Sequence, residues 1–76
     1  MKYTSTIVVS THAKEIHTLF LAEQLQTIND RAKYELELVD TRLTFRIYAQ
    51  DAVALRATLN AITKQLSVFE KMQVVV

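Results

Sequence analysis

The sequence predicts an α+β domain with the order strand, helix, strand, strand, helix, in which a three-stranded antiparallel sheet carries both helices on one face. Three observations lead to this prediction. Apolar residues recur at steps of three and four in the last third of the chain, alternate with polar residues in the middle, and form a short β-branched run near the start. The 76 residues are predicted to form a single domain, near the lower limit of independent stability.

Composition excludes several classes of protein. The chain has no cysteine, so disulfide frameworks and thiolate metal sites are excluded, and without glycine it cannot form glycine-rich phosphate loops. The net charge of +1 gives no electrostatic argument for nucleic acid by itself, and no apolar run approaches the ~20 residues of a membrane span. We expect a soluble cytoplasmic protein. Because half of its residues are hydrophobic, an oligomer or a permanent partner is favoured.

The first strand is predicted at about residues 3–10, where residues 7–9 are β-branched and the preceding threonines and serine suit an exposed sheet edge. Ser10 and Thr11 offer an N-cap to a first helix at about residues 12–25, along which apolar residues recur at helical spacing. The first strand carries no inward charge. It is therefore an edge to which a second chain can add.

The clearest local pattern is a hairpin that follows a turn signal at Asn29–Asp30. Apolar and charged residues alternate along strands predicted at about residues 32–39 and 42–50. The alternation places apolar side chains on one face and opposed charges on the other, with Glu35 opposite Arg46. The first strand most simply pairs with the third, which gives the sheet order first-third-second with antiparallel neighbours throughout.

The link between the hairpin strands is predicted to be a four-residue loop closed by Leu38 and Leu43. Pairing of Val39 with Arg42 would keep the same register but leave a two-residue turn. The longer loop is preferred, because Thr41 disfavours the positive φ that a two-residue turn demands.

The last third of the chain predicts the longest element, a helix at about residues 51–72. Its large apolar residues recur at helical spacing, and Asp51 is placed to cap the first turn. A second stripe of mostly small residues widens the apolar arc beyond what covering a sheet requires. Either alanine simply fills neutral helix positions, or this stripe is a seam that lets another helix approach closely. The small-residue seam consists of Ala54, Ala57, Ala61, Val68 and Met72.

No catalytic or metal-binding constellation is found in the sequence. His12 and His17 are five residues apart, so they point to different sides of a helix and lack a partner at metal spacing. Glu35 and Glu37 share a strand face with Arg46, so a salt-bridged sheet surface is favoured over acid–base chemistry. The chain is therefore predicted not to be an enzyme and to hold no cofactor and no metal.

Basic residues near the exposed sheet face are candidates for contact with RNA. Lys33, Arg42 and Arg46 fall on or near this face with Tyr48 among them, a combination that can follow an RNA backbone. Two glutamates on the same face cancel much of this charge. The RNA contact is therefore a minor hypothesis when it rests on the sheet alone.

Several segments together carry a resemblance to a known family. They are an apolar strand from Leu43, then Ala49, Asp51, ALRATLN at 54–60, Gln65-Leu66-Ser67 and Met72, with Ala13, Ile16 and Leu19 in the first helix and the hairpin at 37–43. The chain resembles the Pcc-type family, the small dimerisation subunit of the KEOPS (EKC) tRNA-modification complex. The resemblance covers nearly the whole chain in the same order of elements. It departs from the family at Thr41, because family members commonly carry glycine after the turn aspartate.

The resemblance implies a non-catalytic subunit. Family members dimerise through their sheets, and their helices pack against N-terminal helices of the catalytic threonylcarbamoyltransferase subunit. The complex makes threonylcarbamoyladenosine on tRNA, and the dimer helps to hold that tRNA. By resemblance, the partner face is the small-residue seam with exposed parts of the first helix. Arg56 also matches the family pattern and is a further candidate for contact with Asp51, a partner or tRNA.

Other hypotheses stay open at this point. The chain is a paralogue that forms a heterodimer through its sheet edge in the same complex, or it is a stand-alone RNA-binding module of βαββα type. The RNA-binding module is disfavoured, because the chain lacks the glycine loop with which KH domains clamp RNA. A small enzyme acting at a dimer interface has no candidate residue in the sequence.

Overall fold

The computed structural model describes residues 2–27 and 31–74. The observed order confirms the predicted α+β fold, and no element boundary differs from its predicted position by more than two residues. The turn predicted at Asn29–Asp30 lies outside the described residues. The elements are β1 (Tyr3–Val9), α1 (Ala13–Thr27), β2 (Ala32–Val39), β3 (Arg42–Ala49) and α2 (Ala52–Val74).

The three strands form an antiparallel sheet in the order β1-β3-β2, as predicted. Phe45 at the centre of β3 lies opposite Ile7 of β1 and Leu36 of β2, and Arg46 lies opposite Glu35. Because β3 is the central strand and the helices pack on its inner face, the side chains on that face are completely buried. These side chains belong to Leu43, Phe45, Ile47 and Ala49.

One hydrophobic core joins the inner sheet face to both helices, which therefore cover the same side of the sheet. Ile16 and Phe20 of α1 and Ile62 of α2 are buried in the cluster that also contains the inner residues of β3. The rings of Phe20 and Phe45 meet edge to face, with centroids 4.9 Å apart, an arrangement that aromatic pairs favour. The opposite sheet face remains exposed.

The hairpin turn corrects one prediction. Val39 pairs with Arg42, so the link has two residues rather than the predicted four. The four-residue loop is predicted on the ground that a two-residue turn requires a positive φ at Thr41. Instead Asp40 has a φ of 56°, and Thr41 is not among the described residues with positive φ. The positive φ therefore falls on aspartate, which tolerates it better than a β-branched residue does.

The start of α1 corrects another prediction. The first helical hydrogen bond runs from the N–H of Ile16 to the carbonyl of His12, at 3.0 Å, so His12 rather than Ser10 or Thr11 is the N-cap residue. His12 has a φ of 51°, and its Nδ1 lies 3.2 Å from Glu15 Oε2. Its ring also packs against Phe69 of α2, at 5.6 Å between centroids.

Candidate functional site

The N-terminus of α2 is fixed by Asp51, as its position in the sequence predicts. The N–H of Ala54 donates to Asp51 Oδ1 at 2.8 Å, and the N–H of Leu55 donates to the Asp51 carbonyl at 3.1 Å. The Arg31 guanidinium pairs with the second carboxylate oxygen of Asp51. This hydrogen bond from Arg31, supported by the Ala54 N–H, lowers the pKa of the Asp51 carboxyl. The cap and the ion pair together connect the helix start to the residue before β2.

Arg31 was not identified from the sequence, because it lies twenty positions before Asp51. The sheet register brings the two together: Ala32 is opposite Ala49, and the N–H of Gln50 donates to the Arg31 carbonyl at 2.9 Å. Arg56, which the resemblance allowed as a partner of Asp51, does not take that role.

Ala54 is buried within the single chain, so it does not belong to an exposed partner face as predicted. Its side chain is 9% exposed and packs with Ala32 and Ala49 in a small cluster where α2 starts over the sheet. Three alanines at this point allow the helix backbone to approach the strands closely. The small size of Ala54 therefore serves the fold of the single chain, and a helical wheel drawn from sequence cannot distinguish this role from a docking role.

The other four members of the predicted seam are exposed on α2. At 3.6 residues per turn they lie within an arc of about 60° on one flank of the helix, beside the buried arc that contains Ile62. Val68 is 46% exposed and Met72 is 63% exposed. We call this surface the exposed seam; it consists of Ala57, Ala61, Val68 and Met72.

Two basic residues of the sheet face, Lys33 and Arg46, have partners within the chain. Arg46 pairs with Glu37, with Nη2 2.8 Å from Oε1, and the Lys33 ammonium lies 5.6 Å from the centre of the Tyr48 ring. A hydrogen bond from the Tyr48 hydroxyl to Glu35 raises the pKa of that tyrosine. These contacts are exposed and individually weak, and the carboxylates of Glu35 and Glu37 offset much of the positive charge that RNA would meet on this face.

Arg42 and Arg56 are the two remaining RNA candidates, and both are exposed. Arg42 lies beside the hairpin turn at the end of β3, whereas Arg56 lies on the outer side of α2. The four candidates therefore do not form one surface, because Lys33, Arg42 and Arg46 belong to the sheet and Arg56 belongs to a helix on its other side.

Across residues 2–27 and 31–74, no three His, Asp or Glu side chains are grouped so that they could hold a metal ion. No helix in these ranges is both long and apolar enough to cross a bilayer.

The family of the chain follows from a comparison over almost its full length. The family described as "Transcription factor Pcc1" matches residues 4–73, which include nearly all of the five elements. This chain belongs to the Pcc1 family. The known context of the Pcc1 family is the KEOPS complex, in which its members are small subunits. No curated protein matches the chain.

In this Pcc1-family chain, the residues that carried the resemblance have two kinds of structural position. Ala49, Asp51 and Ala54 fix the start of α2 through packing, capping and the ion pair to Arg31. Arg56 and Met72 instead lie on the surface. The first group explains how the fold is built, and the second is available to partners.

Proposed function

We propose that this chain is a non-catalytic subunit of the KEOPS complex. In this role it binds the catalytic threonylcarbamoyltransferase subunit and supports the threonylcarbamoyladenosine modification of tRNA in the cytoplasm. The observation that carries the proposal is the exposed seam of α2, in a chain that matches the Pcc1 family over residues 4–73.

The exposed seam has the composition of a helix-docking surface. Ala57 and Ala61 are one turn apart, and side chains this small allow a second helix to pack at an interaxial distance of about 8–10 Å. Val68 and Met72 continue the surface with larger apolar groups that water now contacts. Methionine adapts its shape to a partner, and burying both groups would favour association.

The two edges of the sheet differ in a way that supports dimerisation through β1. The outer face of β2 carries Lys33, Glu35 and Glu37, and charges of this kind discourage strand addition at an edge. The seven residues of β1 contain no charge. A second copy, or a paralogue, therefore adds to β1 in the proposed assembly.

The substitution Ala61→Glu tests the docking role of the exposed seam. It places a carboxylate where a partner helix would exclude water, so we expect the affinity for the catalytic subunit to fall by about 100-fold or more. Ala61 is exposed in the free chain, so thermal unfolding followed by circular dichroism should change little. Binding is measured by titrating the purified catalytic subunit.

Thr63→Glu is the matched control. It adds the same charge to an exposed position of α2, about 160° around the helix from Ala61. This variant should bind the catalytic subunit as the unchanged chain does. Loss of binding in Thr63→Glu but not in Ala61→Glu would reject the exposed seam as the partner face.

A further inference from the structure

The side of α2 that points away from the sheet has a charge pattern of its own. Its polar residues recur at steps of four, four, three and four, and at 3.6 residues per turn they fall within an arc of about 80°. All five side chains are exposed. We call this surface the basic ridge; it consists of Arg56, Asn60, Lys64, Ser67 and Lys71.

Within the described ranges, no acidic side chain forms an ion pair with the three cations of the basic ridge. The ridge contains no acidic residue, and the single acid of α2, Glu70, lies on the flank of the helix. Among the described residues the ion pairs are His12 with Glu15, Arg31 with Asp51 and Arg46 with Glu37, so none involves the ridge. The sheet face differs, because there Arg46 has an acidic partner and Lys33 lies over an aromatic ring.

The spacing and chemistry of the ridge suit a phosphate backbone. From Arg56 to Lys71 the helix rises about 22 Å, so its cations can meet several phosphates along one groove edge. Asn60 and Ser67 lie between them and can donate hydrogen bonds, as such side chains commonly do to phosphate oxygens. A protein partner would instead require a central apolar or aromatic anchor, and the ridge contains none.

We propose that the basic ridge of α2 binds the phosphate backbone of tRNA. The choice of tRNA rests on the proposed function, whereas the recognition of phosphate rests on the ridge itself. The exposed seam borders the ridge, since Lys64 and Ala57 are neighbours around the helix. The chain therefore holds its protein partner and its RNA on adjacent flanks of α2, and the RNA contact predicted at Lys33, Arg42 and Arg46 moves to this helix.

The test compares two triple variants that remove the same charge. The ridge variant is Arg56→Gln, Lys64→Gln, Lys71→Gln, and the sheet variant is Lys33→Gln, Arg42→Gln, Arg46→Gln. Affinity for an unmodified tRNA transcript is measured by fluorescence anisotropy at several salt concentrations, with the chain alone and with the catalytic subunit. Glutamine keeps the helix propensity of the cations it replaces, so the fold of the ridge variant should persist.

We expect the ridge variant to bind tRNA at least tenfold more weakly at low salt. The slope of log affinity against log salt should fall by about 2 to 3, because each lost phosphate contact removes roughly 0.7–0.9. The sheet variant should keep most of the slope. An equal or larger loss in the sheet variant would overturn the proposal, and so would an unchanged chain that binds no tRNA either alone or with the catalytic subunit.

Two further readouts separate this inference from the proposed function. If the chain ignores the catalytic subunit while the ridge variant still loses tRNA, the proposed function fails and the ridge assignment stands. If the ridge variant loses the catalytic subunit and keeps tRNA, the ridge is a protein interface and the inference is overturned. A DNA duplex of matched length that competes as well as tRNA would support phosphate recognition by the ridge and overturn the choice of tRNA as its ligand.

Discussion

The chain has no glycine, so individual residues of other types adopt the backbone conformations that its turns and helix ends require. Asp40 takes the positive φ of the hairpin turn, and His12 takes the positive φ before α1. Asp51 caps α2 and pairs with Arg31. Sequence alone identified Asp51 as a cap, because capping depends on neighbours along the chain. Its pairing with Arg31 was not predictable, because it depends on the register that sets Ala32 opposite Ala49.

The substitution Asp51→Asn isolates the contribution of this charge. Asparagine caps a helix about as well as aspartate, so the variant loses the ion pair to Arg31 and retains the cap. The pKa of Asp51 is lowered in the folded state, chiefly by Arg31. Its stabilisation is therefore complete above the pKa of the unfolded chain and is lost as pH falls through the lower folded value. We expect Asp51→Asn to be less stable in urea at pH 7 and equal to the unchanged chain well below about pH 4.

Arg31→Gln is the control for the same pair. It should reduce stability at pH 7, and adding Asp51→Asn to it should then cost less than Asp51→Asn alone, because the two groups are coupled. Additive losses across the double-mutant cycle would show that the ion pair contributes nothing.

At the scale of elements, α2 presents three distinct surfaces. A buried arc packs on the sheet, the exposed seam lies on one flank, and the basic ridge points outward. The apolar spacing in the sequence predicted the buried arc, and the small residues predicted the seam except for Ala54. Sequence alone did not single out Lys64 and Lys71, because the proposal for the basic ridge depends on which cations of the sheet face have partners within the fold.

Apolar residues of α2 that look equivalent in the sequence differ in burial. Substituting them should therefore lower the free energy of unfolding by different amounts. Ile62 is 1% exposed, so Ile62→Ala should lower the free energy of unfolding by about 2–5 kcal/mol. Leu59 belongs to the same apolar spacing but is only partly buried, so Leu59→Ala should cost less. Urea unfolding of both variants measures the difference. An equal or larger loss for Leu59→Ala would place the centre of the core elsewhere on the helix.

At the scale of the whole molecule, the fold was predictable because its main determinants are local. Period-two alternation defined the hairpin, helical spacing defined α2, and right-handed connection rules favoured the order β1-β3-β2. The length of the hairpin turn was predicted wrongly, because sequence alone could not assign the positive φ to Asp40 rather than Thr41. The proposed assembly depends instead on an exposed surface, the open edge of β1.

A charged residue on β1 tests the proposed assembly. Thr6 is central in β1 and exposed, so Thr6→Lys should leave the single chain folded while placing two lysines close together in a strand-paired dimer. We expect the mass from light scattering to change from that of a dimer to that of a monomer. Val39→Lys, at the exposed end of β2, should remain dimeric.

Two outcomes would change the assignment of the dimer. If Thr6→Lys keeps the dimer mass, β1 is not the interface. If the unchanged chain is monomeric and becomes dimeric only with a paralogue, the assembly is a heterodimer.

The open edge of β1 also has a consequence for the amount of unassembled chain that can accumulate in a cell. A seven-residue uncharged strand with free hydrogen-bonding groups is a template on which further copies can stack as cross-β fibrils. Copies synthesised in excess of their partners should therefore be degraded or deposited rather than stored. We expect the steady-state level of the chain to follow the supply of the subunits that cover it, so its stoichiometry would be set by turnover as much as by transcription.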